Sequence, residues 1–323
     1  MIENVPIFRD RLGLIVVPVH SDYAGLGLAG RGEATNRSCG KFKVAYGCDR
    51  VELHNHVGLD GVNYAGKVFV KKVFMSCDKP SCPICYKFGY AVREGKKMGV
   101  RLDEASKIYG NIEHLSISVP LAWYALPFKV LVKRVWDALV ERGAIGGALI
   151  FHRDRFRGSH YSEPYWSFHF HFLGFVPERS KCRTCKKACF EGCGGFVDRN
   201  YRLNEKDGCL VKVLGKRKTV AGTAWYQLHH SSFKVNAKRA SVVRWMGVCS
   251  YRNLKVVVKK RRELCPACGH DLVRLAYFGD DPVVKAWLHE CRDPEVKGKR
   301  SGWFLADEEG RRVWVPIVGV WDG

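Results

Sequence analysis

Acidic residues are scarce in this sequence. Across 323 residues, Asp and Glu total 32 against 54 Lys and Arg, a formal net charge of +22. Long apolar runs are missing too. The longest chargeless stretch with real apolar content, Leu115–Phe128, is broken by Pro120 and Pro127, and a spanning helix needs about 18 or more apolar residues. No membrane segment is expected. The first ten residues carry Glu3 and no basic stretch ahead of an apolar run, unlike a secretory signal, so the expected location is cytoplasmic. There is no heptad array, fixed-period repeat or low-complexity tract. A Gly-x4-Gly-Lys-Ser/Thr loop is also absent, which excludes a P-loop motor of that kind.

What is present is a folding composition, 46% hydrophobic and 27% charged, typical of a packed soluble protein. Positive charge in this excess opposes compaction and is usually kept for a polyanion. Nucleic acid is the first expectation. An anionic membrane surface is second, but no basic amphipathic helix supports it. A merely solvated basic surface is the bland alternative.

The 14 cysteines cluster, as metal knuckles do in a reducing compartment. Paired thiolates two residues apart can chelate one tetrahedral Zn²⁺. Cys182, Cys185, Cys189 and Cys193 form a complete set. Cys77, Cys82 and Cys85 need a fourth ligand, with Cys48 the first choice and Cys39 the second. Cys265 and Cys268 make half a site, to be completed by His270, Cys249 or Cys291. Cys209 reads as a small buried hydrophobe.

Three regions follow: an N-terminal zinc-binding region (1–105), a core (106–260) with an inserted knuckle (177–199), and a C-terminal zinc-knuckle region (261–323). Leu14–Val19 and Val68–Phe74 read as strands, and Tyr86–Met98 as a basic helix. In the core, Glu113–Val119, Gly146–His152, Ser167–Val176, Val242–Ser250 and Leu254–Val258 read as strands. Phe128–Arg142 has helical apolar spacing, and Thr219–Ser232 reads as a short helix. Helices do not follow every strand, so the fold class is α+β with a largely antiparallel sheet. The basic run Lys259–Arg262 reads equally as a solvated loop or a phosphate contact.

The sharpest motif is Phe168-His169-Phe170-His171-Phe172. Alternate strand residues share a face, so His169 and His171 project together and can grip one divalent ion while the phenylalanines bury opposite. An exposed face that happens to hold two histidines is the alternative. A histidine-triad nucleotide hydrolase needs a further His where Leu173 stands, and the His-x-Thr/Ser pairs of the 2H phosphoesterases are missing. Downstream, Tyr226 and His230 sit at i and i+4, one face of a helix. His230 could serve as a third metal ligand or as a proton partner for the phenol, with His229 a weaker choice. A packed aromatic is the alternative for Tyr226.

The series Leu115-Ser-Ile-Ser118, Gly147-Ala-Leu-Ile-Phe-His152-Arg, His169-Phe-His171 and Gly222-Thr-Ala-Trp-Tyr226-Gln-Leu-His-His230 resembles the HUH replication initiators of archaeal rolling-circle plasmids and viruses. Val243–Tyr251, Cys265-Pro-Ala-Cys268-Gly and Cys82-Pro-Ile-Cys85-Tyr are similar to that family as well. The resemblance spans roughly residues 75–275. It implies an HUH endonuclease core, a central antiparallel sheet flanked by helices and elaborated by zinc knuckles. It further implies Tyr226 as nucleophile, with His169 and His171 as ligands of Mg²⁺ or Mn²⁺. The partners it implies are single-stranded or locally melted DNA at a replication origin, a separate helicase and a host polymerase. Attack would leave a 5′-phosphotyrosine and a free 3′-OH. No second Tyr lies four residues from Tyr226, a departure from the two-tyrosine helix that bears on termination. Glu163 and His152 compete with His230 as third ligand, and Tyr251 is the fallback nucleophile. Tyr161, Tyr165, Trp166 and Trp225 are candidate stacking platforms for bases. An HUH transposase or relaxase is a second reading, and a non-catalytic zinc-knuckle nucleic-acid binder a third.

Overall fold

The computed structural model describes residues 7–9, 16–32, 36–55, 63–157, 163–177, 196–197, 209–215, 218–234, 241–256, 263–291 and 300–317. They form an α+β structure with mainly antiparallel sheets. It divides into two compact units, Met1–Glu33 with Lys79–Val258, and Ala34–Asp78 with Lys259–Gly323. This replaces the division at residues 105 and 260 into three successive regions. Strands from the two ends of the sequence pair with each other, so 34–78 and 259–323 make one unit, and 79–105 folds with the core.

The first unit is built on α1 (Ala91–Tyr109), β1 (Ile112–Ser118), α2 (Phe128–Val140), β2 (Gly146–Arg157), β3 (Glu163–Phe175), β4 (Phe196–Val197), β5 (Leu210–Leu214), α3 (Val220–Leu228) and β6 (Val243–Gly247). The sheet runs β6-β2-β3-β1-β5-β4, and all its pairings are antiparallel except that of β5 with β4. The alternation in β3 divides the unit into layers. Phe168, Phe170 and Phe172 are buried on one face with Leu115, Ile117, Leu149 and Phe151, under Leu131, Val135 and Leu139 of α2. Each such phenylalanine contributes about 1.5–3 kcal/mol by burial. The other face carries Ile112, Ala148, Ile150, Leu173 and Phe175. It packs on Met98, Leu102 and Ala105 of α1 and on Ala224 and Leu228 of α3.

Helix α1 follows a single π-helical turn, Tyr86–Tyr90, and runs eleven residues past the Met98 end expected from sequence. A Cβ on Gly99 would stand 2.9 Å from the Ala221 Cβ, so the absent side chain lets α3 lie close on α1. Beyond β6 the chain turns, with Gly247 at φ +55° and Asn253 Nδ2 donating to the Gly247 carbonyl. Residues 254–256 therefore leave the sheet where a strand was expected, and 257–258 lie outside the described residues.

In the second unit the strands lie in the order Ser301–Leu305, Lys67–Phe74, Phe42–Gly47, Val273–Tyr277, Trp314–Pro316, all antiparallel. The helix Pro282–His289 is capped by Asp281, whose Oδ1 accepts from the Val283 N–H at 2.7 Å. Its Val284 and Leu288 join Ala45, Val68, Val70, Leu275 and Trp314 in the core.

Candidate active site and metal clusters

His152, His169 and His171 bring one ring nitrogen each to within 4.8 Å of one another, and all three are buried. Strand register explains the group. His169 and His171 share a face of β3, and His152 is the direct cross-strand partner of His169. His152, one of the two alternatives to His230 as third member, is therefore the residue that joins the pair. Its signal was available only through pairing, because nothing local to Phe151-His152-Arg153 marks it. Glu163 opens β3, and its side chain lies outside the described residues.

Hydrogen bonds orient the rings. The His169 Nδ1 lies 2.7 Å from the Ser167 carbonyl. A carbonyl only accepts, so Nδ1 carries the proton and Nε2 keeps its lone pair. The His114 Nδ1 likewise donates to the Gly215 carbonyl at 3.2 Å. In the neutral ring this leaves the His114 Nε2 to accept from His171 Nδ1 at 3.2 Å and from Gln227 Nε2 at 3.3 Å. The lone pair of His171 is thereby directed to its Nε2. The His152 Nε2 is buried with no hydrogen-bond partner. Burial, reinforced by neighbouring imidazoles and Arg155, holds all three rings well below the usual value of 6.5. Neutral rings with unused lone pairs fit a metal ion, and His114 is the outer partner such ligands commonly have. Sequence reasoning missed His114, although its place in the alternation of β1 puts it on this face.

These rings open into a cavity of about 400 Å³ lined also by Asp154, Arg155, Tyr165, Tyr226, Gln227 and His230. Thr219 caps α3, its Oγ1 accepting from the Gly222 N–H at 3.0 Å. The next turns bring Tyr226 to the cavity with 39% of its surface exposed. Its ring stands edge-on to His230, centroids 5.6 Å apart. Burial, then His229 and Arg31, pushes His230 down as well. His230 thus lines the cavity beside the phenol and lies outside the three-nitrogen group.

Tyr251 is exposed after β6, with the Arg101 guanidinium 4.6 Å from its ring centre, and it does not line the cavity. Among the stacking candidates, Tyr165 lines it. Trp225 and Trp166 are partly buried against the core, and Trp225 lies 4.0 Å from His229. Both are therefore engaged in packing. Tyr161 lies outside the described residues.

One cysteine cluster, within the second unit, could hold a structural metal such as zinc. Cys48 does not complete a set with Cys77, Cys82 and Cys85. Cys48 joins Cys265, Cys268 and His54 instead, with Sγ atoms of Cys48 and Cys268 3.4 Å apart and the His54 Nε2 3.3 Å from each of Cys265 and Cys268. The cause is again pairing. Gly47 is the strand partner of Val273, so Cys48 arrives at the turn that precedes that strand. The Lys67 carbonyl accepts from the His54 Nδ1 at 2.7 Å, leaving Nε2 for a metal. His270, Cys249 and Cys291 are not in the group. Cys209 is buried in the core, as its isolation suggested. Cys182, Cys185, Cys189 and Cys193 lie outside the described residues. No described helix is long and apolar enough to cross a membrane. Comparison with protein-family models, curated proteins and solved structures finds no match to this chain.

Proposed function

We propose that this protein is a metal-dependent nuclease and strand transferase of the HUH type, cutting single-stranded DNA through Tyr226 and serving to initiate rolling-circle replication. The observation that carries the reading is one cavity shared by three neutral, lone-pair-bearing imidazoles and a half-exposed tyrosine. His152, His169 and His171 are the residues that would hold the ion. Three imidazoles favour Mn²⁺ over Mg²⁺, which prefers oxygen donors. When bound, such an ion would polarise the scissile phosphate and offset charge in the transition state. A phenol attacks phosphorus only as it gives up its proton, so a base must assist. His230, kept neutral by burial, takes the phenolic proton. The Tyr226 oxygen bonds to phosphorus, the bond to O3′ breaks, and the proton passes from His230 to O3′. The products are a 5′-phosphotyrosine and a free 3′-OH, and reversal rejoins the strand without ATP. The zinc clusters are structural, and duplex opening falls to a separate helicase, with a host polymerase extending the 3′ end.

The test is incubation with single-stranded DNA from the protein's own replicon and Mn²⁺, followed by a denaturing gel. A covalent DNA–protein species is expected with the wild type. Tyr226→Phe should abolish it while single-strand affinity stays within about twofold, since the basic surface persists. Normal adduct formation by that variant would overturn the assignment.

A further inference from the structure

The cavity that gathers the histidines also contains a cation with no carboxylate partner among the described residues. Arg155 lines it, and its Nη2 donates to Ser118 Oγ at 2.8 Å. Its Nε is buried without a hydrogen-bond partner. The acid next to it in sequence is already engaged, since Asp154 Oδ2 accepts from Arg153 Nε at 3.0 Å. Among the described residues, then, Arg155 meets a hydroxyl and no carboxylate. Its charge reaches all three rings and helps hold them neutral.

A guanidinium in a partly dry cavity is costly without an anion, and it repels any dication held by the neighbouring imidazoles. Both costs fall if a monoanion with two available oxygens sits between them. A phosphodiester is such an anion, and the planar guanidinium matches its oxygens in geometry. We infer that Arg155, steadied by Ser118, is the clamp for the substrate phosphodiester, holding one non-bridging oxygen while the other faces the three histidines. This rests on the reading of the cavity as a nuclease site.

The consequence is a coupling of binding events with an unusual sign. In the full-length protein, Mn²⁺ binding is read from the electron-spin-resonance signal of the free ion, with and without dithymidine monophosphate, a minimal phosphodiester. The wild type should bind Mn²⁺ about fivefold more tightly when the diester is present. The neutral methylphosphonate analogue, with the same bases, should give no gain. Arg155→Leu should bind Mn²⁺ alone more tightly, by about fivefold, because the repulsion is gone, and should lose the response to the diester. Arg155→Lys keeps the charge but not the fork, so its Mn²⁺ affinity should match the wild type while the diester response shrinks. Should Arg155→Leu fail to fold, the lysine variant decides. A diester response undiminished in Arg155→Lys, or equal for the neutral analogue, would overturn the clamp, as would a wild type without coupling. Coupling in a wild type that never forms a covalent adduct would retain the clamp and remove the nuclease reading.

Discussion

His152, His169 and His171 each have a folded-state pKa held below the ordinary 6.5 by burial first and by neighbouring positive or protonatable groups second. In the unfolded chain they take up protons near 6.5, so below that pH the unfolded state binds more protons than the native one. Stability contributed by keeping them neutral is therefore present above about pH 6.5 and declines as pH falls toward the folded values. Without added divalent ions, the melting temperature should drop more steeply from about pH 7 to 5 for the wild type than for His152→Gln/His169→Gln/His171→Gln. Parallel curves would show that the rings are not the buried neutral groups described. The His169–His171 pair was legible in the sequence because a period of two is local to one strand. His152 was legible only as one of three candidates for the third ligand, and His114 and His54 were missed, since each finds its partners on segments far away in sequence. The same holds for Cys48, whose spacing suggested one cluster and whose strand delivers it to another.

At the scale of elements, the seating of α3 on α1 decides where Tyr226 stands. Gly95 and Gly99 each lower helix propensity by about 1 kcal/mol relative to Ala, yet the helix runs through both to Tyr109. Their lack of side chains is what α3 packs against, with the Ala221 carbonyl 3.1 Å from a Cβ built on Gly95. Tertiary contact outweighs local preference here. Gly99→Ala places a methyl 2.9 Å from the Ala221 Cβ, so α3 must move outward. Adduct formation should fall about tenfold, the scale of a displacement well under 1 Å at a reacting group, with single-strand affinity nearly unchanged. Adding Ala221→Gly removes the opposing methyl and should restore most of the rate despite its helix cost of about 1 kcal/mol. Additive losses in the double variant would mean that this contact does not set the position of Tyr226.

For the molecule as a whole, the proposed function makes the net charge of +22 the term that would govern how nucleic acid is held. If roughly 6 phosphates of a single strand are neutralised, log K should fall against log salt with a slope of about −4, through counterion release. A titration series giving a slope near zero would remove the electrostatic model. The α+β class could be read from alternation and helical spacing. The partition into units could not, because the pairing of Phe42–Gly47 with Val273–Tyr277 leaves no local trace in either segment.

That same pairing imposes a schedule on synthesis. His54 and Cys265 are 211 positions apart, and at about 5–20 residues per second a ribosome delivers the second roughly 10–40 s after the first. Throughout that interval the hairpin of Phe42–Gly47 and Lys67–Phe74 waits with two strand edges unpaired, while Cys48 and His54 offer half a coordination shell. The residues of β1–β6, and with them the histidine cavity, emerge meanwhile and can fold as a unit before the second one closes. If the Cys48–His54 cluster holds zinc, ribosome-stalled chains arrested just before Cys265 should lack that tightly held ion, and full-length chains released from the ribosome should carry it. A metal taken up at this cluster would in that sense arrive late, timed by translation and not by the metal's own availability.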